Sequence, residues 1–342
     1  GSGQGGVADG STGEDGGAGL GAAAPSLTWN GELSFRTRAL LDYDEPEDTR
    51  VSAYPELRLE GNVSGDASEL LARLEYDRQV QLENPEDLID EAYIRLFYDR
   101  LDLQAGYIKQ VWGSGDKVHV VDVLNPTDYT DFINQDYLDR KRAEKMLKAD
   151  IYFGTNGRLQ LVYLPVFHQD RVPLEGPWVS YEARQLRTQL QNDIAGQIEQ
   201  QLLNEYAADN GAVTPAERQL AAQQAEQEAA LLLQQNADAL SAAPEPDTLE
   251  YSQYAVRVSE SFGRFDLAAQ YYNGFLREPS VIDVDVANRD VEVDFDRVHH
   301  FGTDFSAAAG GFTFRGEAAY LLTEDIEGDD PQVHNNRIAY MA

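Results

Sequence analysis

The sequence predicts an all-β fold: a transmembrane antiparallel β-barrel with an α-helical hairpin inserted in one extracellular loop. Apolar and polar residues alternate in one segment after another, which is typical of strands with one apolar face. The connections between these segments alternate between long and short. Barrels that cross a membrane show this pattern, because their periplasmic turns are short and their extracellular loops are long.

Composition excludes several classes of protein. The chain has 342 residues, no cysteine and a formal net charge of −33. The absence of cysteine excludes disulfides, thiolate metal sites and cysteine nucleophiles. The negative charge argues against binding to nucleic acid. No apolar run approaches the roughly 20 residues that a membrane-spanning helix needs.

The two ends of the sequence carry separate expectations. Residues 1–25 are rich in glycine, serine and aspartate and predict a disordered tail. They lack the apolar core of a secretory signal, so we expect the signal peptide of an exported protein to have been removed. The barrel domain is predicted over 26–342. Its last segment stops within a strand pattern, so we expect the barrel to be incomplete at the C-terminus.

About twelve segments carry the strand pattern, most of them near the length of a tilted membrane strand. In the first, Leu27, Trp29 and Leu33 lie on one face, and Glu32 and Arg36 lie on the other. In chain order the segments are residues 27–40, 51–61, 69–79, 91–98, 101–107, 148–154, 158–167, 251–262, 264–275, 298–310, 311–323 and 335–342.

A soluble antiparallel sheet is the alternative, because its strands alternate as well, with the polar face in water. The tyrosines favour the barrel. The chain has 18 of them, and Tyr76, Tyr98 and Tyr107 lie on the predicted apolar faces near strand ends, where aromatic girdles meet the membrane interface. A dry soluble core would need a hydrogen-bond partner for each hydroxyl.

Residues 178–248 interrupt the strand pattern with two helical ones. Leu190, Ile194 and Ile198 belong to a stripe that recurs every four residues. Thr214 and Glu217 predict a capping box at the start of a second helix. The order of long and short connections places this hairpin in an extracellular loop. Both a lid or partner-docking element and a self-packed insertion are compatible with the pattern.

Charged residues on the predicted inner wall are the first group of candidate pore-lining residues. Acids and bases there are nearly balanced, so most of the net charge lies in loops and tail. The arginines on neighbouring strands either form ion pairs that fill a polar lumen or form a basic ladder for anionic groups. The candidates are Arg36, Arg38, Arg58, Arg73, Glu75 and Arg95.

Residues in the connection after the fifth strand form the second group of candidate pore-lining residues. This connection is long enough to fold back into the lumen and narrow it, as charged rings do in channels; an ordered surface loop is the alternative. The candidates here are Trp112, Asp116, Lys117, Asn125 and Asp128. Residues 136–147 predict a short helix that leads into the sixth strand.

The stretch from Asp90 to Asp150 resembles a family of porin-like outer-membrane barrels. A strand that ends in a basic-Gln stretch and Trp112-Gly113 leads to the loop motif Asn125-Pro126-x-Asp128. The family includes uncharacterised proteobacterial and spirochaete barrels and, more distantly, alginate-export-type porins. Tyr107, where an arginine is commoner, departs from the pattern. The resemblance implies an outer-membrane barrel and leaves the solute open.

Signals for enzymatic chemistry are weak. The five histidines show no metal-ligand spacing, and no nucleophile motif of the G-x-S-x-G type occurs. We therefore expect no enzymatic activity, no metal and no cofactor. Alternating carboxylates at 283–296 favour a solvated acidic hairpin over a calcium site, because the fixed order and glycine of an EF-hand are missing.

These observations predict an outer-membrane porin or channel that passes small hydrophilic solutes, with anions among the candidates, by passive diffusion. The predicted partners are outer-membrane lipid and a small hydrophilic solute. The alternative is a surface-exposed adhesin or binding protein that uses the barrel as an anchor.

Overall fold

The computed structural model describes residues 25–40, 50–77, 85–130, 136–173, 179, 181–235, 249–285, 290–330 and 332–342. Residues 1–24, which make up nearly all of the predicted tail, lie outside this set. Within it, no helix is long and apolar enough to span a membrane.

Twelve strands form one sheet, and every neighbouring pair is antiparallel. The strands lie side by side in the same order as they follow each other along the chain. The strands of this sheet are β1 Ser26–Leu40, β2 Arg50–Ser64, β3 Ser68–Tyr76, β4 Ile89–Phe97, β5 Leu101–Ile108, β6 Glu144–Phe153, β7 Gly157–Leu164, β8 Gln253–Phe262, β9 Phe265–Phe275, β12 Arg297–Ala309, β13 Phe312–Leu322 and β14 Arg337–Met341. Each overlaps one predicted segment, so the predicted all-β architecture is confirmed. The edge strands β1 and β14 are not paired with each other, and the sheet is open over the described residues.

The register of the sheet separates an apolar face from a polar one. One apolar row crosses nine adjacent strands: Leu96, Leu103, Ala149, Leu161, Val256, Tyr271, Phe301, Tyr320 and Ile338. The row beside it points to the opposite face and includes Asp102, Asp150, Gln160, Arg257 and Gln270. A slip of one residue in any strand would exchange the two faces, so this pattern specifies the register strongly.

The apolar face is uncovered. Leu33 and Phe35 are 63% and 74% exposed, and the buried clusters of the described residues contain no member of the apolar row. The main cluster lies on the polar, inner side of the sheet instead. A soluble sandwich would pack its apolar rows against a second layer. The described part of the chain provides no such layer.

The predicted helical hairpin is confirmed. Helix α1 spans Tyr181–Asn210 and α2 spans Pro215–Gln235. The capping box forms as expected: the Thr214 hydroxyl donates to Glu217 Oε2 at 2.7 Å, and the Glu217 backbone N–H donates to Thr214 Oγ1 at 3.3 Å. The helices bury Ile194 and Ile198 against Ala225, Ala229 and Leu232, and Val293 packs onto this cluster. Val293 belongs to the small hairpin of β10 Val281–Asp285 and β11 Asp290–Asp294.

The predicted short helix at 136–147 is wrong. Residues 137–140 form a turn, and β6 begins at Glu144. The backbone of this stretch is drawn into extended pairing: Thr127 forms an isolated bridge with Lys141, and the Arg142 N–H donates to the Pro126 carbonyl at 2.9 Å. Tertiary pairing therefore overrides the local helical tendency.

Candidate functional site

The long loop between β5 and β6, residues 109–143, is tied at its neck by Asn125. The Asn125 amide donates to the carbonyls of Ile108 and Arg142 at 2.8 Å each, and its Oδ1 accepts from the Gln110 N–H at 2.7 Å. Asn125 is 1% exposed. Pro126 directly after it disfavours helix at this point. The Asn-Pro motif thus closes the loop where it leaves and rejoins the sheet.

The same loop is fastened to a distant strand by Glu317 of β13. One carboxylate oxygen accepts from the Gly115 N–H and lies against His119 Nδ1, each at 2.8 Å, and the other accepts from the Val120 N–H at 2.8 Å. Gly113 makes room for the carboxylate: its φ is +115°, and a Cβ there would collide with Glu317 and lie 2.6 Å from His119 Nδ1. The loop therefore crosses the inner face of the sheet from β5 to β13.

Apolar packing holds the loop against the inner wall. Trp112, which is 2% exposed, lies with Val121 and Leu124 in the main buried cluster. The side chain of Gln270 donates to the Val121 carbonyl, and His300 Nε2 lies 3.2 Å from the Val120 carbonyl. The cluster consists of Ile108, Trp112, Val121, Leu124, Met146, Val162, Leu164, Ala255, Tyr272, Leu276, Val298, Ala319 and Leu321. The cluster therefore packs the loop against β6–β9, β12 and β13, and a further cavity remains between the loop and Tyr272, Val298 and His300.

A buried ion pair stiffens the loop from within. Lys141 Nζ lies 2.9 Å from Asp122 Oδ2, and both side chains are almost fully buried. The Tyr137 hydroxyl donates to the same carboxylate oxygen. Burial, together with the negative charge of Asp122, raises the pKa of Tyr137 above its ordinary value, so the phenol stays protonated and keeps donating. These contacts keep the loop compact.

A polar passage remains open between this loop and the first strands. Two cavities, with volumes of about 120 and 380 Å³, share Glu75, Asp90 and Asp139 in their walls. We call these two joined cavities the polar passage. Across it, Arg58 of β2 lies 3.8 Å from Asp139 of the loop.

The arginine row of the inner wall is paired with carboxylates. These contacts are Arg36–Glu56 at 2.9 Å, Arg58–Glu75 at 2.8 Å, Arg73–Glu60 at 2.8 Å, Arg73–Glu91 at 2.9 Å and Arg95–Asp102 at 2.5 Å. The side chain of Arg38 lies outside the described residues. The geometry thus matches the ion-paired wall, the first of the two interpretations of the row, for every described member.

The lining of the polar passage is negative overall. Its carboxylates are ten: Glu32, Glu60, Glu75, Asp77, Glu86, Asp87, Asp90, Asp128, Asp139 and Glu144. Its permanent cations are six: Arg58, Arg73, Lys109, Lys141, Arg142 and Arg171, with His168 beside them. The described lining therefore carries an excess of four negative charges when His168 is neutral.

Two groups at the mouth of the passage have shifted pKa values. Burial and the neighbouring charge of Arg171 lower the pKa of Arg142, although a guanidinium remains protonated at neutral pH. Burial opposes ionisation of Glu86, but its hydrogen bond and ion pair with Lys145, at 3.2 Å, outweigh this and lower its pKa. Both groups are therefore charged at neutral pH.

The described members of the predicted site separate into four groups. Arg58, Arg73, Glu75 and Asp128 line the passage, whereas Arg36 and Arg95 belong to the ion-paired wall. Trp112 and Asn125 are buried in the scaffold of the loop, where neither side chain reaches the passage. Asp116 pairs with Arg315, and Lys117 lies 3.3 Å from Asp136, both away from the passage lining.

Several lining residues were not among the predicted ones. Asp90 enters the wall at a β-bulge between β3 and β4, which carries no sequence signal. Arg171, from the connection after β7, reaches the passage through an isolated bridge to Asp128 and an ion pair of 3.2 Å with it. Asp139 could have been found from its place in the acidic run of the long loop. Among the described residues, no group of three or more His, Asp and Glu side chains could hold a metal ion.

No protein-family model and no curated protein matches the chain. A mutant of the Rhodopseudomonas blastica porin is 10% identical, with a TM-score of 0.32, over 92% of this chain and 88% of that one. A loop-deletion mutant of OmpT, an outer membrane protein of Vibrio cholerae, is 7% identical, with a TM-score of 0.29, over 93% and 85%. The outer membrane channel DcaP of Acinetobacter baumannii is 9% identical, with a TM-score of 0.29, over 89% and 80%. Each of these matches covers at least 80% of both chains at 10% identity or less.

Proposed function

We propose that the chain forms an outer-membrane channel that passes small hydrophilic solutes by passive diffusion. The observation that carries this proposal is the pairing of an uncovered apolar outer face with a charged passage on the inner face. Lipid would cover the apolar outer face, and water would solvate the charged passage. Passage by diffusion needs a polar path and no catalytic group, and we propose no enzymatic activity.

Membrane location follows from the same asymmetry. The apolar row crosses nine strands without a charged member. An exposed apolar surface of this extent is unfavourable in water and marks contact with lipid or another protein. Strands cross membranes as closed barrels of the outer-membrane type, so we place the protein in that membrane. The described parts of the loop, 109–130 and 136–143, then belong to the lumen.

The sequence and the structure favour opposite charges for the preferred solute. The sequence left anions as candidates because of the arginine row. In the structure each described arginine of that row contacts a carboxylate within 3 Å, so its charge is largely neutralised locally. Anion passage remains a hypothesis, and the charge of the passage lining favours the opposite sign.

The test is conductance of the purified protein in planar bilayers, after heat-modifiable gel mobility has shown that the barrel is folded. Discrete conductance steps are expected. A folded barrel that conducts no ions would contradict the channel and favour the adhesin alternative. The adhesin in turn predicts that removal of residues 181–235 abolishes binding of the protein to its surface ligand while leaving the barrel folded.

A further inference from the structure

We infer that the polar passage selects small cations over anions. This inference rests on the proposed channel function and names the solute class of the same site. Its basis is the lining itself, in which carboxylates outnumber cationic side chains by ten to six among the described residues. A narrow passage with walls of one predominant sign focuses the field and concentrates counter-ions.

The cationic side chains of the lining are already engaged. Arg73 lies within 3 Å of Glu60 and Glu91, and Arg171 contacts Asp87 and Asp128 at 3.3 and 3.2 Å. Lys141 is held by Asp122 at 2.9 Å, and Asp122 is not part of the lining. The charge of Lys141 is therefore offset outside the lining, as the charge of Glu86 is by Lys145 at 3.2 Å, and the excess of four carboxylates is unchanged.

A buried carboxylate supplies a second, independent observation. Glu144, at the start of β6, is 1% exposed and lies in the wall of the passage. Its Oε1 lies 2.9 Å from His168 Nδ1, whereas its Oε2 is buried without a hydrogen-bond donor among the described residues. A buried carboxylate oxygen left without a partner is costly. Its negative charge attracts a cation in the passage and repels an anion.

The loop side of the passage adds a carboxylate that the wall does not fully neutralise. Asp139 is about half exposed, and its contact with Arg58 is 3.8 Å long. Arg58 makes its shorter contact with Glu75, at 2.8 Å. Asp139 therefore lines both cavities of the passage, on the loop side, with its charge largely available to a solute.

The experiment measures the reversal potential of the channel in a KCl gradient, which gives the permeability ratio of K⁺ to Cl⁻. The wild-type protein is expected to favour K⁺. Asp139→Asn and Glu144→Gln should each lower the ratio, by up to about 30-fold, because one unit charge at about 4 Å in water attracts K⁺ and repels Cl⁻ by about 1 kcal/mol each. The preference should also weaken at about 1 M salt, where the Debye length is about 3 Å. Glu226→Gln, the same loss of one charge on an exposed position of α2, is the matched control and should leave the ratio unchanged.

The outcomes separate the two proposals. Conductance that favours Cl⁻, or that shows no preference, overturns cation selection while the channel function stands. A ratio that responds equally to Glu226→Gln and Asp139→Asn overturns the assignment to the passage. A folded barrel that does not conduct overturns the channel function and this inference with it.

Discussion

The carboxylate of Glu317 lies 2.8 Å from His119 Nδ1, joining β13 to a loop that leaves the sheet after β5. The same carboxylate accepts from the Gly115 N–H, although the two residues are 202 positions apart in the chain. No other described side chain of β13 makes more than one contact of this kind with the loop. This carboxylate therefore fastens the 115–120 part of the loop to β13.

Replacing Glu317 by glutamine should release the loop. The amide keeps one acceptor oxygen but turns an N–H group toward backbone donors, so buried N–H groups lose their partner at about 1–3 kcal/mol each. Trp112 reports the change: in a Trp29→Phe, Trp178→Phe background it is the sole tryptophan, and acrylamide quenching of its fluorescence should rise. Unchanged quenching would show that Glu317 does not hold the loop.

Gly113→Ala should produce the same release from the other side of the contact. A side chain there is strained at a φ of +115° and collides with the Glu317 carboxylate. Because both changes break one contact, their effects on loop docking should not add in the double variant. Gly61→Ala, where a Cβ meets nothing within 4 Å, is the control and should behave as wild type. Additive effects would show that Gly113 and Glu317 act on the loop independently.

Asn125→Asp should open the neck of the loop. The carboxylate cannot donate to the carbonyls of Ile108 and Arg142 and is repelled by both, at a cost of about 3 kcal/mol or more. Hydrogen exchange of the amides in 109–130 should accelerate while the amides of β7 and β8 stay protected. Asn156→Asp makes the same chemical change in an exposed turn and should leave exchange unaltered; equal protection in both variants would refute the role of Asn125.

A charge placed in the apolar row should destabilise the protein more than the same charge on a surface in water. Leu161→Arg places a cation in the apolar row and should destabilise the barrel in vesicles by about 2–4 kcal/mol near the bilayer midplane. Leu220→Arg on α2 is the control, because the two leucines are exposed to similar degrees and a change in water is typically worth less than about 0.5 kcal/mol. Urea unfolding measures both; equal midpoints would mean that Leu161 faces water.

The strands were predictable because water and lipid impose opposite demands on adjacent residues. Leu57, Arg58 and Leu59 alternate in the sequence and alternate in the structure, since a one-residue slip would bury the arginine in lipid. The capping box of Thr214 and Glu217 is local in the same way, and its hydrogen bonds form as the sequence predicts. Features that depend only on residues close together in the sequence were therefore predicted correctly.

The site was less predictable because its contacts are remote. Nothing near Gly115 in the sequence points to Glu317, and nothing near Asp128 points to Arg171. The motif that contains Trp112 and Asn125 was visible in the sequence. Its burial depends on strands far along the chain, and this burial is what makes the two residues part of the scaffold and keeps them from contact with solute. Residues 136–147 carry a helical pattern that pairing with Pro126 and Thr127 overrides.

The most direct test of the account is the environment of alternate residues in one strand that borders the passage. Because the chain has no cysteine, spin labels can be placed singly through Leu57→Cys, Arg58→Cys, Leu59→Cys and Glu60→Cys in protein reconstituted in vesicles. Labels at 57 and 59 should collide mainly with dissolved oxygen, and labels at 58 and 60 mainly with a water-soluble nickel complex. Four labels that all meet the nickel complex equally would contradict a barrel with lipid outside and water within.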